Sequence, residues 1–205
     1  MTQDATLAPV SDADWPEEID AMRHGFAGGL NVYRTMAHHP ALLRAWAELR
    51  EHLVLRSALG PERLEIAILR TGHRLGSEYE WAQHVLRARK VGISDARIRS
   101  IRARLGAMAP QDALIAGAVD DLFDHARLRT PTLSRLNAAL GKEGVLDLLA
   151  TVGFYSTLGF LLNTFGTPLD DDIAAELAAA PLRRCATGLE GAGSAFRRAG
   201  RRRSP

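Results

Sequence analysis

Apolar positions recur every three or four residues over nearly the whole chain, and no convincing alternation of the kind strands require appears. The stretch "NVYRTMAHHP" reads as a short helix ended by Pro40. "PALLRAWAELREHLVLRSALG" places Leu42, Trp46, Leu49 and Leu53 at helical spacing, with Gly60 closing the segment. Pro61 suits the first turn of the next helix, "PERLEIAILRTGHRLG". A further helix runs from Ser77 to "KVG", where Gly92 supplies a left-handed stop, and Ser94 with Asp95 starts its successor. "PQDALIAGAVDDLFDHARL" is helical, Thr130 and Pro131 fit an N-cap and first position, and a long apolar helix ends at Gly166 and Pro168. The pattern predicts an all-α bundle of about seven or eight helices. Residues 1–16 read as a loose lead, 17–178 as one helical domain and 179–205 as a loose basic tail.

Composition changes this picture little. A chain of 205 residues with 46% hydrophobic and 24% charged content can build a real core. Much of the positive excess sits in "RRAGRRRSP", which has no aromatics for base stacking, so nucleic acid is not an expected partner. Residues 145–165 have the length of a membrane span but carry Asp147, Asn163 and glycines, and read as a buried core helix. The N-terminus lacks the pattern of a signal peptide, and Cys185 is the only cysteine, so a cytoplasmic location and no internal disulfide are expected.

The chemistry concentrates in "RTGHRLGSEYEWAQHV", residues 70–85. On a helix Ser77, Glu80, Trp81, His84 and Ala88 fall on one stripe, and Glu80 meets His84 four residues on. On the preceding helix Glu65 shares a face with Ile68, Leu69 and Gly72, and Gly72 permits a close approach. A tight connection at "HRLGSE" folds the two helices into a hairpin, which lets Glu65, Glu80 and His84 converge. Such a trio passes protons near neutral pH, whereas a plain helix ion pair with a half-exposed Glu65 would do nothing. A two-carboxylate, one-imidazole metal site is conceivable but thin, and no metal or cofactor is expected. Trp81 reads as core packing. Asp121 and His125, also four apart, read as an acidic solvent face.

The segment "ERLEIAILRTGHRLGSEYEWAQHVLRARKVGISDARI" resembles the core of the carboxymuconolactone decarboxylase family, which includes the alkylhydroperoxidase-D-like proteins. The resemblance extends through "NVYRTMAHHPALLRAW" and "VGFYSTLGFLLNTFG", roughly residues 30–170. The peroxidase branch carries a glutamate, a Cys-x-x-Cys pair and a histidine four residues after the second cysteine. In this sequence the glutamate falls at Glu65, the histidine at His84 and the cysteines at Ser77 and Glu80. Without that sulfur, disulfide cycling is not expected. The resemblance implies an alkylhydroperoxidase-D-like bundle assembled as a trimer, hexamer or dimer. It also implies a cofactor-independent lyase, decarboxylase or proton-transfer enzyme for a small carboxylated or lactone-like molecule.

In that reading His84 is the acid/base, Glu80 and Glu65 tune it, and Ser77 lines the pocket. Arg34 and His39, which lie in a pattern shared with the family, would bind a substrate carboxylate unless they serve neighbouring helix ends. Tyr155 and Asn163 are further substrate-binding candidates on the long helix. The alternatives are a peroxidase-family protein with a degenerate thiol site and a non-catalytic small-molecule-binding oligomer.

Overall fold

The computed structural model describes residues 6–182; Cys185 and the basic tail lie outside them. Among the described residues there are nine α-helices, two 3-10 turns and no strand. The helices are α1 (Asp20–Arg23), α2 (Asn31–Met36), α3 (Pro40–Leu55), α4 (Pro61–Leu75), α5 (Glu78–Lys90), α6 (Asp95–Ser100), α7 (Pro110–His125), α8 (Thr130–Phe165) and α9 (Asp171–Ala179). The short turn α1 and the C-terminal α9 were not anticipated. The two segments read separately around residues 130–165 are two helices joined end to end within α8, broken at Gly141, whose φ of 69° and ψ of −177° are not helical.

Helix α4 is the axis of the domain. It packs against α5, α7 and α8, and every residue from Leu64 to Gly72 is buried. A helix surrounded on all sides must bury its polar residues too, so Glu65, Arg70 and Thr71 need partners inside. Thr71 returns its hydroxyl to the Ala67 carbonyl; Glu65 and Arg70 find theirs on opposite neighbours, as shown below.

The α4–α5 hairpin forms as the sequence predicts. Left-handed Gly76 ends α4, and Ser77 caps α5 by accepting from the Glu80 amide. Gly72 is what brings the helices together: a Cβ there would sit 3.2 Å from the Glu80 Cβ. Any side chain at 72 would push Glu80 away from α4.

Helix α8 is long and apolar enough to cross a membrane, but 56% of its most apolar window is buried inside the bundle. The N-terminal lead is not loose over its described part. Val10 and Trp15 are buried, and Val10 exchanges backbone and side-chain bonds with Arg34 of α2. Asp121 is also not on a solvent face. It is buried and accepts from the amide and guanidinium of Arg129, so it fixes the start of α8; His125 alone is exposed.

Candidate active site

Glu65, Glu80 and His84 come together in the interior, at 7%, 4% and 3% exposure. Glu65 Oε2 lies 2.7 Å from His84 Nδ1, and Glu80 Oε2 lies 3.4 Å from His84 Nε2. The two carboxylates therefore flank the imidazole on opposite edges. The short contact to Glu65 selects the tautomer with the proton on Nδ1, because a carboxylate only accepts. Nε2 is then the nitrogen that faces Glu80, beside the cavity that both residues line.

Glu80 has too few donors for a buried carboxylate. Burial pushes its pKa up to about 7, against the lowering charges of His84 and Arg87 and with a further raising push from Glu65. A carboxyl in that range changes protonation at neutral pH.

The cavity beside this cluster is lined by Leu30, Val32, Tyr33, Tyr79, Glu80, Gln83, His84, Arg87, Tyr155 and Leu158. Its volume is about 20 Å³, room for one water. Tyr155 from α8 stands edge-on to His84, with ring centroids 5.1 Å apart. Burial drives the Tyr33 hydroxyl up to about 12 and the Tyr155 hydroxyl well above the usual tyrosine range, so both stay protonated donors. Glu65 does not line the cavity; it stands behind the imidazole.

A further buried carboxylate holds one wall in place. Asp170, just before α9, accepts from the Tyr79 hydroxyl, the Gln83 amide and the backbone amide of Asn31. One side chain thus ties α2, α5 and α9 together and fixes two lining residues.

Four of the expected substrate-binding residues point elsewhere. Arg34 donates to the carbonyls of Gly28 and Val10 and pairs with Asp12, so it fastens the N-terminal segment. His39 is exposed and caps α3 by accepting from the Leu42 amide. Asn163 is exposed and donates to the Leu75 carbonyl at the end of α4. Ser77 is buried but spends its hydroxyl on the α5 cap, away from the cavity. Each serves a backbone group left over at a helix end or loop. Tyr155 alone of the five faces the cavity. Sequence reasoning passed over Tyr33, Gln83 and Arg87; Gln83 and Arg87 flank the Glu80–His84 stripe, and that placement was the available signal.

These observations define the class: an all-helical domain of the alkylhydroperoxidase-D-like fold with Glu65, His84 and Glu80 clustered in its interior. Residues 40–118 match the model of the Carboxymuconolactone decarboxylase family, so the resemblance carried by the motif is shown over that segment. Among solved structures, the chain is similar to an alkylhydroperoxidase AhpD core, an uncharacterized peroxidase-related protein from Ralstonia eutropha JMP134. That likeness has TM-score 0.69 and 16% identity, over 82% of this chain and 94% of that one. It is also similar to the debrominase Bmp8 in its apo form, with TM-score 0.65 and 15% identity over 85% and 97% of the two chains. A cysteine-to-alanine variant of that debrominase in complex with 2,3,4-tribromopyrrole gives TM-score 0.64 and 15% identity over 84% and 96%. At these identities the likeness shows the fold. A comparison with curated proteins finds no match.

Proposed function

We propose that the protein is a cofactor-independent proton-transfer enzyme of the lyase or decarboxylase kind, acting on a small carboxylated or lactone-like molecule. The observation that carries this reading is the pairing of Glu80 with His84 Nε2 at one wall of a cavity, with Glu65 locking the far nitrogen. Glu65 orients the ring. Glu80 and Nε2 share the mobile proton. In a decarboxylation the C–C bond to the carboxylate breaks, its electron pair stays on the substrate as an enolate, and the pair delivers a proton to carbon. Solvent then restores that proton. In a simple isomerisation the same pair removes a proton from one carbon and returns it to another. Substrate has to widen the cavity, which holds one water as it stands.

Thiol chemistry finds no support in these residues. Ser77 is a helix cap and Glu80 a carboxyl where the peroxidase branch has sulfur. The expected self-assembly remains part of the proposal. Leu146, Leu149 and Phe160 stand exposed on one side of α8, at 65%, 37% and 59%, and a second copy of the chain would cover them. Sedimentation of the parent as an assembly, and of Phe160→Asp as a smaller species, checks that part.

The test of the chemistry is a screen of small lactone acids and β-keto acids, read by deuterium incorporation at carbon. For an accepted compound His84→Ala is expected to lower the rate by about 10²–10⁴-fold. Turnover and pH profile unchanged in both His84→Ala and Glu80→Gln would leave the cluster merely structural.

A further inference from the structure

Two polar groups of the cavity wall make no hydrogen bond to any described residue. Arg87 lies on α5 one turn beyond His84, and its guanidinium makes no hydrogen bond or ion pair with any described residue. Arg34, Arg70, Arg74, Arg89 and Arg97, by contrast, are each bonded to a carboxylate. The Tyr155 hydroxyl likewise makes no hydrogen bond to a described residue, although the side chain is 4% exposed. Both are donors, and both face the same space.

Burial shows which way that space opens. Of the lining residues, Leu30 and Arg87 alone are half-buried and the others are buried. Arg87 therefore stands at the mouth and Glu80 with His84 at the inner wall. An anion moving inward meets a free guanidinium first and the Glu80 and Glu65 carboxyls behind it. Attraction outside and repulsion inside stop the anion at the mouth.

We infer that Arg87 is the specificity-determining residue of this site: it holds a carboxylate of the substrate at the cavity mouth and directs the reacting carbon inward to Glu80 and His84. The inference rests on the proton-transfer reading above and extends it to orientation. It also fixes which carboxylate survives. A carboxylate gripped by a guanidinium is stabilised in the ground state, and losing it as CO2 would forfeit that bond in the transition state. The anchored carboxylate is therefore retained. A substrate that loses CO2 here carries a second acid group; a substrate with one acid group undergoes proton transfer and keeps it.

The probe is levulinate, a keto acid whose carboxylate is not lost, against its neutral methyl ester. Both are titrated into the full chain while the His84 imidazole signals are followed by NMR, assigned by their absence in His84→Ala. The parent is expected to respond saturably to the acid and about tenfold or more weakly to the ester, the discrimination a charge-assisted bond provides. Arg87→Gln is expected to bind acid and ester alike. Arg87→Lys keeps the charge without the planar fork and is expected to fall between the two. Arg44→Gln, on the exposed side of α3, is expected to match the parent. Equal response to acid and ester in the parent, no response of the parent to the acid, or a preference surviving in Arg87→Gln would each overturn the assignment. The readout is binding, so the two readings fail separately. An Arg87-dependent preference without proton exchange in any compound sinks the enzymatic reading and leaves the anchor. His84-dependent exchange without an Arg87-dependent preference sinks the anchor alone.

Discussion

Helix α4 carries two buried charges, Glu65 and Arg70, that face opposite neighbours and are treated in opposite ways. Arg70 meets Asp120 of α7 through two parallel bonds of 2.9 and 2.7 Å, and donates again to the carbonyls of Ile101 and Ala103. Arg74 adds a bond to the same aspartate and a second to Asp124. Almost every donor and acceptor on that side is used. On the other side Glu65 has one imidazole, and Glu80 has a 3.4 Å contact with the same ring. Buried charges that are fully bonded hold their protonation state and their place. Buried polar groups that share so few partners keep unspent hydrogen-bonding capacity. One helix thus bears a fully bonded scaffold on one side and a sparsely bonded cluster on the other, and the number of hydrogen bonds per charge tells them apart.

The contrast breaks most visibly on the scaffold side. Asp120→Ala strips Arg70 of both parallel bonds and leaves a buried guanidinium without its counter-charge. The expected loss is about 3–5 kcal/mol in urea unfolding. A loss below about 1 kcal/mol, the range of surface pairs, would show that the Arg70 network is not what holds α4 to α7.

On the Glu80 side the signature is pH. Glu80 has a folded pKa of about 7 against 4.5 for a free carboxyl. Between those values the native protein binds more protons than the unfolded chain. The stability it contributes is present below the lower value and is lost as pH rises through the upper one. Glu80→Gln mimics the protonated group, so its stability relative to the parent should climb across that window, by at most about 3 kcal/mol. Parallel stability curves for the two proteins from pH 5 to pH 8 would mean that Glu80 titrates normally.

Asp170 lies between the two regimes, since it is well bonded yet serves the cavity. Asp170→Asn keeps the shape but weakens three bonds, at a cost of about 1–3 kcal/mol. Because those bonds hold Tyr79 and Gln83, substrate affinity should fall more than the intrinsic pH profile moves. An unchanged KM for an accepted substrate would remove Asp170 from the positioning role. The smallest effect belongs to Glu78, which is 77% exposed and paired with Arg102. Glu78→Gln should alter stability by no more than about 0.5 kcal/mol and leave proton exchange as it was.

Periodicity alone gave the helical class, the α4–α5 hairpin and the meeting of Glu80 with His84, because helix geometry is local and a spacing of four residues sets the contact. Gly72 marked the close approach for the same reason: the absence of a side chain is written in the sequence itself. What each remaining polar side chain bonds to was not local. Arg34 looked like a carboxylate binder and became a fastener because Val10 and Asp12 fold back onto it. Asn163 looked inward and serves Leu75, 88 residues away. Tyr79 and Gln83 are fixed by Asp170, which arrives only after the whole of α8. Arg87 differs from its neighbours by making no hydrogen bond or ion pair to a described residue, and that emerges only when every other element has taken its place. The sequence by itself determined which groups share a helix face; the tertiary structure decided which of them were left with unspent hydrogen-bonding capacity, because a bond between distant residues depends on where the intervening chain comes to rest.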